Sequence, residues 1–465
     1  MQDRKLDHKL KNRHLQMIAL GGVIGTGLFF GSAKSIHLTG PSIVLSYMLG
    51  GLVIYIILRA LGEMTVDEPN SGSFSQYANT YIGNYAGFIS GWSAWFEYTI
   101  VCMAELTAVT VFFDYFVPGV PHWLLCSFIL IFFTAINLIS VKAFGEFEFW
   151  FAGIKVVTII IMLIFAAYLI VFKHDTNPEI GLYLNPDLFF TGGYKGFAIS
   201  LVIVVFSFGG SEFVSIAAGE AENPAKNVPL AINGVIVRIL LFYILTMLAI
   251  ILLYPFQKLS TNVSPFVDVF RKIGFAAAAG AMNMVAITAA LSAFNSCLYS
   301  ASRILYNLSE NGYAPKYLSN LQKSSQVPRR AILSTAAAVA ISVLINFLFP
   351  DNAIMYLLTI ATGAILIVWF MILITQIYFR KNKDIKNTQL KYKLILFPYS
   401  NIFAMLVLIF VMITMTQMDE MRLSVFVAPL WIFALSIFYI LGTNIIKNKP
   451  RNRKLARIQA KRRRL

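Results

Sequence analysis

Two short stretches of this 465-residue chain hold residue types that could bind a ligand through the backbone itself. The first runs Gly21-Gly22-Val23-Ile24-Gly25-Thr26-Gly27-Leu28, with four glycines in seven residues. Each glycine costs ~1 kcal/mol against alanine in a helix, so a continuous helix is a poor outcome here. Two readings stand. The glycines either let helices pack closely, as in a Gly21-x-x-x-Gly25 pattern, or they mark an unwound stretch whose free N–H and C=O groups hold a ligand. The second stretch is Phe206-Ser207-Phe208-Gly209-Gly210-Ser211-Glu212. A half-helix starting after the first break would offer N–H groups at residues 26–28 and a positive dipole end, which suits a carboxylate. Free carbonyls at both breaks suit an ammonium group. A ligand carrying both groups a few ångströms apart is an amino acid.

Isolated charges in apolar surroundings form a second set. Lys155 lies in Ala152-Gly153-Ile154-Lys155-Val156-Val157, about 10 Å into its apolar run at ~1.5 Å per residue. An uncompensated charge at that depth costs at least ~2.5–3.5 kcal/mol. It is either half of a structural ion pair or a lysine that gives up and takes back a proton. Glu212, after the second break, either couples protons or pins unwound backbone by accepting N–H bonds. Glu97 and Glu105 share one run, eight residues apart; Glu105 reads as structural, Glu97 as a possible selector of substrate charge. Three cysteines in apolar runs and five scattered histidines provide no disulfide framework and no metal-ligand spacing.

The elements that must position these residues follow from composition. Hydrophobic residues make up 58% of the chain and charged residues 13%, against roughly 45–50% and 25% in soluble domains. That excludes a soluble multidomain enzyme and a disordered chain, and the long apolar runs exclude a transmembrane barrel. Twelve runs, near 15–36, 41–61, 85–116, 122–141, 147–172, 195–218, 230–254, 274–308, 331–349, 353–379, 402–418 and 423–446, predict an all-α integral membrane protein. Of the 38 Lys and Arg residues, 30 fall on the side shared by both termini. By the positive-inside rule the termini are cytoplasmic. The net charge of +16 is therefore an orientation signal rather than a nucleic-acid surface, and the basic tail is expected to rest against anionic lipid. Arg59, Arg238 and Arg303 are expected to anchor span ends to headgroups.

The two broken spans are the first and the sixth, the leading members of two five-helix sets. Interrupted spans at matching places in two halves point to a transporter site, and an odd number of spans per set makes the repeat inverted. The expected organisation is an N-tail at 1–14, repeat one at 15–172, repeat two at 195–379, two further helices at 394–446 and a basic C-tail at 447–465.

Several motifs in one order resemble the amino-acid permeases of the APC superfamily, in the amino-acid transporter branch. They are Gly25-Thr26-Gly27, the stretch from Phe206 to Glu212, Ala218-Gly219-Glu220-Ala221-Glu222-Asn223-Pro224, Ala104-Glu105-Leu106-Thr107-Ala108, Gly145-Glu146-Phe147-Glu148-Phe149-Trp150-Phe151, and Asn295-Ser296-Cys297-Leu298-Tyr299-Ser300-Ala301-Ser302-Arg303 with Ala314-Pro315-Lys316. The resemblance is greatest to bacterial proline, histidine and threonine-type permeases. It implies the LeuT-like 5+5 inverted-repeat fold, a bacterial inner-membrane location and uptake of an amino acid, expected to be neutral, driven by the proton gradient with no other cofactor. An amino-acid or amine exchanger is the alternative. It further implies a substrate site at Val23, Ile24, Gly25, Thr26, Gly27, Leu28, Phe206, Ser207, Phe208 and Gly209, with Phe206 as gate. Lys155 would stand where sodium symporters hold an ion, with Glu212 as second proton-coupling residue. Glu97, Asn295 and Tyr299 are candidates for selectivity. Cys297 departs from the glycine common at its place.

Overall fold

A computed structural model describes residues 10–446 apart from 23, 71, 173–188, 261–263, 273, 323–325, 351 and 383–389. Val23 and the basic tail 447–465 thus lie outside the described residues. The architecture is a bundle of helices. The first half holds α1 (Asn12–Gly21), α2 (Ser32–Thr39), α3 (Ile43–Asp67), α4 (Ser73–Tyr81), α5 (Asn84–Phe113), α6 (His122–Ile139) and α7 (Val141–Phe172). The second holds α8 (Gly193–Ser207), α9 (Phe213–Ala217), α10 (Pro224–Ile239), α11 (Leu245–Leu253), α12 (Pro265–Lys272), α13 (Ala276–Glu310), α14 (Arg329–Val339), α15 (Ile341–Leu348) and α16 (Ala353–Asn382). α17 (Tyr399–Thr416) and α18 (Asp419–Ile446) complete it.

Among the described residues, nine helices are long and apolar enough to cross a membrane. The runs at 15–36, 195–218 and 230–254 are not continuous helices. The first two are cut by the glycine stretches, and the third contains a π-turn at Leu240–Ile244. Broken backbone shortens each piece, so helix length alone yields fewer spans than the twelve apolar runs predict. Two short helices, α4 and α12, were not anticipated, because each lies between the apolar runs.

Burial separates a central set of helices from a peripheral one. In its most apolar window α5 is 78% buried and α16 72%, whereas α18 is 6% buried. α5 packs most extensively against α13 and α16, so the acids Glu97 and Glu105 on α5 are carried into the middle of the protein. α18 keeps Leu430, Phe433, Phe438 and Leu441 exposed, an apolar surface of the kind that meets a bilayer or another protein. The segment before α1 is packed in: the backbone of Leu10 bonds to Glu220 and Glu222, and Leu10 is buried.

Candidate functional site

The glycine stretches are where the helices stop. α1 ends at Gly21, the chain turns at Gly22 and bends at Ile24 and Gly25, and helical structure resumes with a π-turn at Gly27–Gly31 leading into α2. α8 ends at Ser207, residues 208–212 turn, and α9 follows. The two breaks meet backbone to backbone. A Cβ on Gly210, whose φ is +87°, would lie 2.8 Å from the carbonyl oxygen of Gly22. A Cβ on Gly27 would collide with the backbone Cα of Ser207. Glycine is required at both places, at Gly210 also because L side chains avoid that φ.

Backbone groups released by the breaks must find partners at membrane depth. Three side chains from neighbouring helices supply them. Lys155 on α7 donates from Nζ to the carbonyl of Ile24 at 2.9 Å. Glu105 on α5 accepts the Thr26 N–H at 3.2 Å and the Thr26 hydroxyl at 3.0 Å. Tyr243 donates its hydroxyl to the carbonyl of Ser207 at 3.0 Å. Lys155 and Glu105 are both buried. The acids whose charge Lys155 senses are Glu148, two turns earlier on α7, and Glu105. Glu148 is itself buried and accepts a hydrogen bond from Ser292 on α13. A buried ammonium is tolerable only with such partners.

Between the breaks lies a cavity of about 10 Å³ lined by Gly22, Gly25, Gly27, Phe206, Ser207 and Gly209, with Val101, Glu105, Ala293, Cys297 and Ile365. That is room for about one water, so the site is closed in this state. Of the residues expected at the site, Gly25, Gly27, Phe206, Ser207 and Gly209 line the cavity. Two of the three N–H groups expected to meet a carboxylate are engaged here, Thr26 by Glu105 and Leu28 by the Gly25 carbonyl. Partners from the protein satisfy them when no ligand does. Phe208 turns instead onto Tyr47 and Tyr243.

The other candidates sit around the cavity rather than in it. Glu97 and Glu212 are fully buried with their carboxyl groups adjoining, and the Trp369 side chain lies against Glu212. Two such carboxylates repel when both are charged. Asn295 accepts the Asn137 amide at 2.8 Å. Tyr299 stacks on Phe144 at 3.9 Å between ring centroids and lies under the Arg303 guanidinium.

The headgroup role expected of Arg303 is not what the fold provides. α13 continues two turns beyond it, and Arg303 is 1% exposed, with Nε donating to Glu220 Oε1 at 2.9 Å. A guanidinium drawn into the protein pairs with an acid instead of a lipid phosphate. Arg59 likewise spans protein groups, donating to the Lys393 carbonyl and to Asn233 and lying over the Tyr392 ring. The side chain of Arg238 lies outside the described residues.

Sequence reasoning did not single out Glu148, Val101, Ala293 or Ile365 as site residues. Glu148 had a signal: an acid at i−7 from Lys155 shares its helix face. The cavity-wall residues had none, since an apolar side chain in an apolar run looks the same facing lipid or cavity.

Comparison with known proteins agrees with this layout. Residues 14–456 match the amino acid permease family. The chain is 41% identical over 438 residues to the aromatic amino acid transport protein AroP of Salmonella typhimurium (strain SL1344), covering 94% of this chain and 95% of that protein. AroP of Escherichia coli (strain K12) is also 41% identical over 438 residues, at the same coverage. An uncharacterized amino acid permease of Bacillus subtilis (strain 168), YtnA, is 40% identical over 443 residues, covering 94% of this chain and 96% of YtnA. With two glycine-broken helices meeting at a closed cavity inside a multi-pass membrane bundle, the chain belongs to the amino acid permease family and is an amino acid transporter rather than an enzyme.

Proposed function

We propose that this transporter takes up a neutral amino acid together with protons, by alternating access in a bacterial inner membrane. On this reading twelve segments cross the bilayer, spans 1–5 and 6–10 form inverted repeats, and both termini are cytoplasmic. The observation that carries the proton-coupled reading is the hydrogen bond from Lys155 Nζ to the Ile24 carbonyl at the first break. It links a titratable cation directly to the backbone that would hold the substrate, so gain or loss of its proton changes the site without any sodium ion. Glu212, against Glu97 just behind the second break, is the second proton-coupling candidate. The proposed substrate contacts are residues 23–28 and 206–209, with Phe206 as gate.

The cavity wall supports a neutral, apolar substrate side chain. Val101, Phe206, Ala293, Cys297 and Ile365 line it, and Glu105, the one charged liner, already serves Thr26. Relatives are named for aromatic amino acid transport, so phenylalanine, tyrosine and tryptophan head the list to test. The experiment is uptake of labelled amino acids into proteoliposomes with and without an imposed pH gradient. Uphill accumulation should follow the gradient and disappear in Lys155→Ala, while downhill exchange persists in part. Accumulation indifferent to the gradient would sink symport, and exchange alone would favour an antiporter.

A further inference from the structure

A second, larger opening shares no lining residue with the cavity at the glycine breaks. A groove of about 730 Å³ lies between the first turns of α5, the segment after α13 and the second half of α18. Phe88, Trp92, Tyr313, Trp431, Leu435 and Phe438 make its apolar walls, and Lys316 is the one charged residue in its lining. Its volume is in the range of small-molecule pockets, roughly 300–1,000 Å³. It belongs to no part of the substrate path described above.

Three observations identify what fits there. First, the groove opens where α18 is exposed: Leu430, Phe433, Phe438 and Leu441 flank it in a helix that is 6% buried across its apolar window. The surroundings that can fill it are the hydrocarbon of the bilayer. Second, the groove is built where α5 starts and where α13 and α18 finish, and on the proposed topology that is the cytoplasmic surface of the membrane. Trp92 and Tyr313, joined by an indole N–H to carbonyl bond of 3.2 Å, suit that level. Third, the charge there is one-sided. Among the described residues between 310 and 330 there are three basic residues, Lys316, Arg329 and Arg330, and one acid, Glu310. Lys316, Arg329 and Arg330 are exposed. Basic pockets between spans on the cytoplasmic side are suited to anionic lipid headgroups.

We propose that the groove is a binding site for an anionic glycerophospholipid, with one acyl chain along the aromatic wall and the phosphate on Lys316. The site is independent of which amino acid is carried and of how transport is energised.

Native mass spectrometry of the full chain in detergent, offered equal phosphatidylglycerol and phosphatidylcholine, tests it. The unmodified protein should retain phosphatidylglycerol in preference. Lys316→Ala should lower that preference about fivefold, the effect of one basic residue near an anionic headgroup. Ala434→Trp, which pushes an indole into the groove from its α18 wall, should reduce retention of both lipids. Equal retention of the two lipids by the unmodified protein would overturn the proposal, as would undiminished retention by Ala434→Trp. Displacement of the lipid by inorganic phosphate would show a headgroup ion alone, with no seat for the chain. A dimer in the unmodified protein that Ala434→Trp converts to monomer would show a second copy covering the groove. Should Ala434→Trp fail to fold, unchanged lipid preference in Lys316→Ala is by itself enough to overturn the proposal.

Discussion

The carboxylate of Glu105 receives the N–H of Thr26 at 3.2 Å and its hydroxyl at 3.0 Å, across 79 residues of sequence. An acid on the central helix α5 therefore occupies the place where a helix N-terminus would otherwise meet an anion. The second half of the broken first span is tied to the most buried of the nine long apolar helices among the described residues. Glu105→Ala would leave the Thr26 donors buried without a partner, at about 1–3 kcal/mol each. The expected result is a lower melting temperature and lost uptake. Glu105→Gln keeps an acceptor and should recover most of the stability. Equal melting temperatures for Glu105→Ala and the unmodified protein would refute the tie.

Lys155 and Glu148 are two turns apart on α7, both buried, and each feels the other's charge. Both charges are buried, so removing one leaves the other less well compensated. Glu148→Gln and Lys155→Met should each destabilise the protein, and the double variant should lose less than the sum, with a coupling of about 0.5–3 kcal/mol. Denaturation of the four purified proteins measures it; strict additivity would mean that the two charges do not interact.

Gly27 touches the backbone of Ser207, and there an added Cβ has no flexible side chain to push aside. Gly27→Ala should therefore separate the two breaks and reduce uptake at least tenfold. Gly153→Ala is the control, since nothing lies within 4 Å of its would-be Cβ. Uptake by Gly27→Ala equal to that of the control would show that the close approach is dispensable.

Arg303 and Glu220 form a fully buried ion pair that fastens α13 to the turn after α9, beside the backbone pairing of Leu10 with residues 220 and 222. Glu220→Gln or Arg303→Ala should each lower stability by about 3–5 kcal/mol. An apolar replacement of both, Glu220→Leu with Arg303→Met, should recover much of the loss. A double variant no better than the worse single one would contradict an ion-pair origin.

Asp268 in α12 illustrates acid sensitivity outside the spans. Burial pushes its carboxyl up, but Lys272, the Ser260 N–H and Arg271 together outweigh this and hold it below the ordinary value. A depressed folded-state pKa contributes stability above the unfolded value of ~3.9, and that contribution is lost as pH falls through the folded value. Because Arg271 and Lys272 are partly exposed, the contribution is about 0.5–1 kcal/mol. Asp268→Asn should melt earlier at pH 7, and the gap between the two proteins should narrow as pH falls below ~3.9 toward the folded-state value. A gap as wide at pH 3 as at pH 7 would assign the effect to packing instead.

Much of this protein was legible without coordinates, for physical reasons that are local. Composition alone places the chain in a bilayer, because no soluble fold can hide so much apolar surface. Glycine clusters at 21–27 and 209–210 mark helix breaks because the conformational cost of glycine is a property of the residue itself. Lys155 stands out because an ammonium in an apolar run is expensive wherever the helix faces. The tertiary structure decided what depends on helix rotation and on partners distant in sequence. It turned Arg303 toward Glu220 rather than lipid, set Glu148 and Glu105 around Lys155, and faced Val101, Cys297 and Ile365 onto the cavity while Phe208 packed elsewhere. In a chain where both lipid and core are apolar, hydropathy cannot tell one helix face from the other. Only packing between helices distinguishes them.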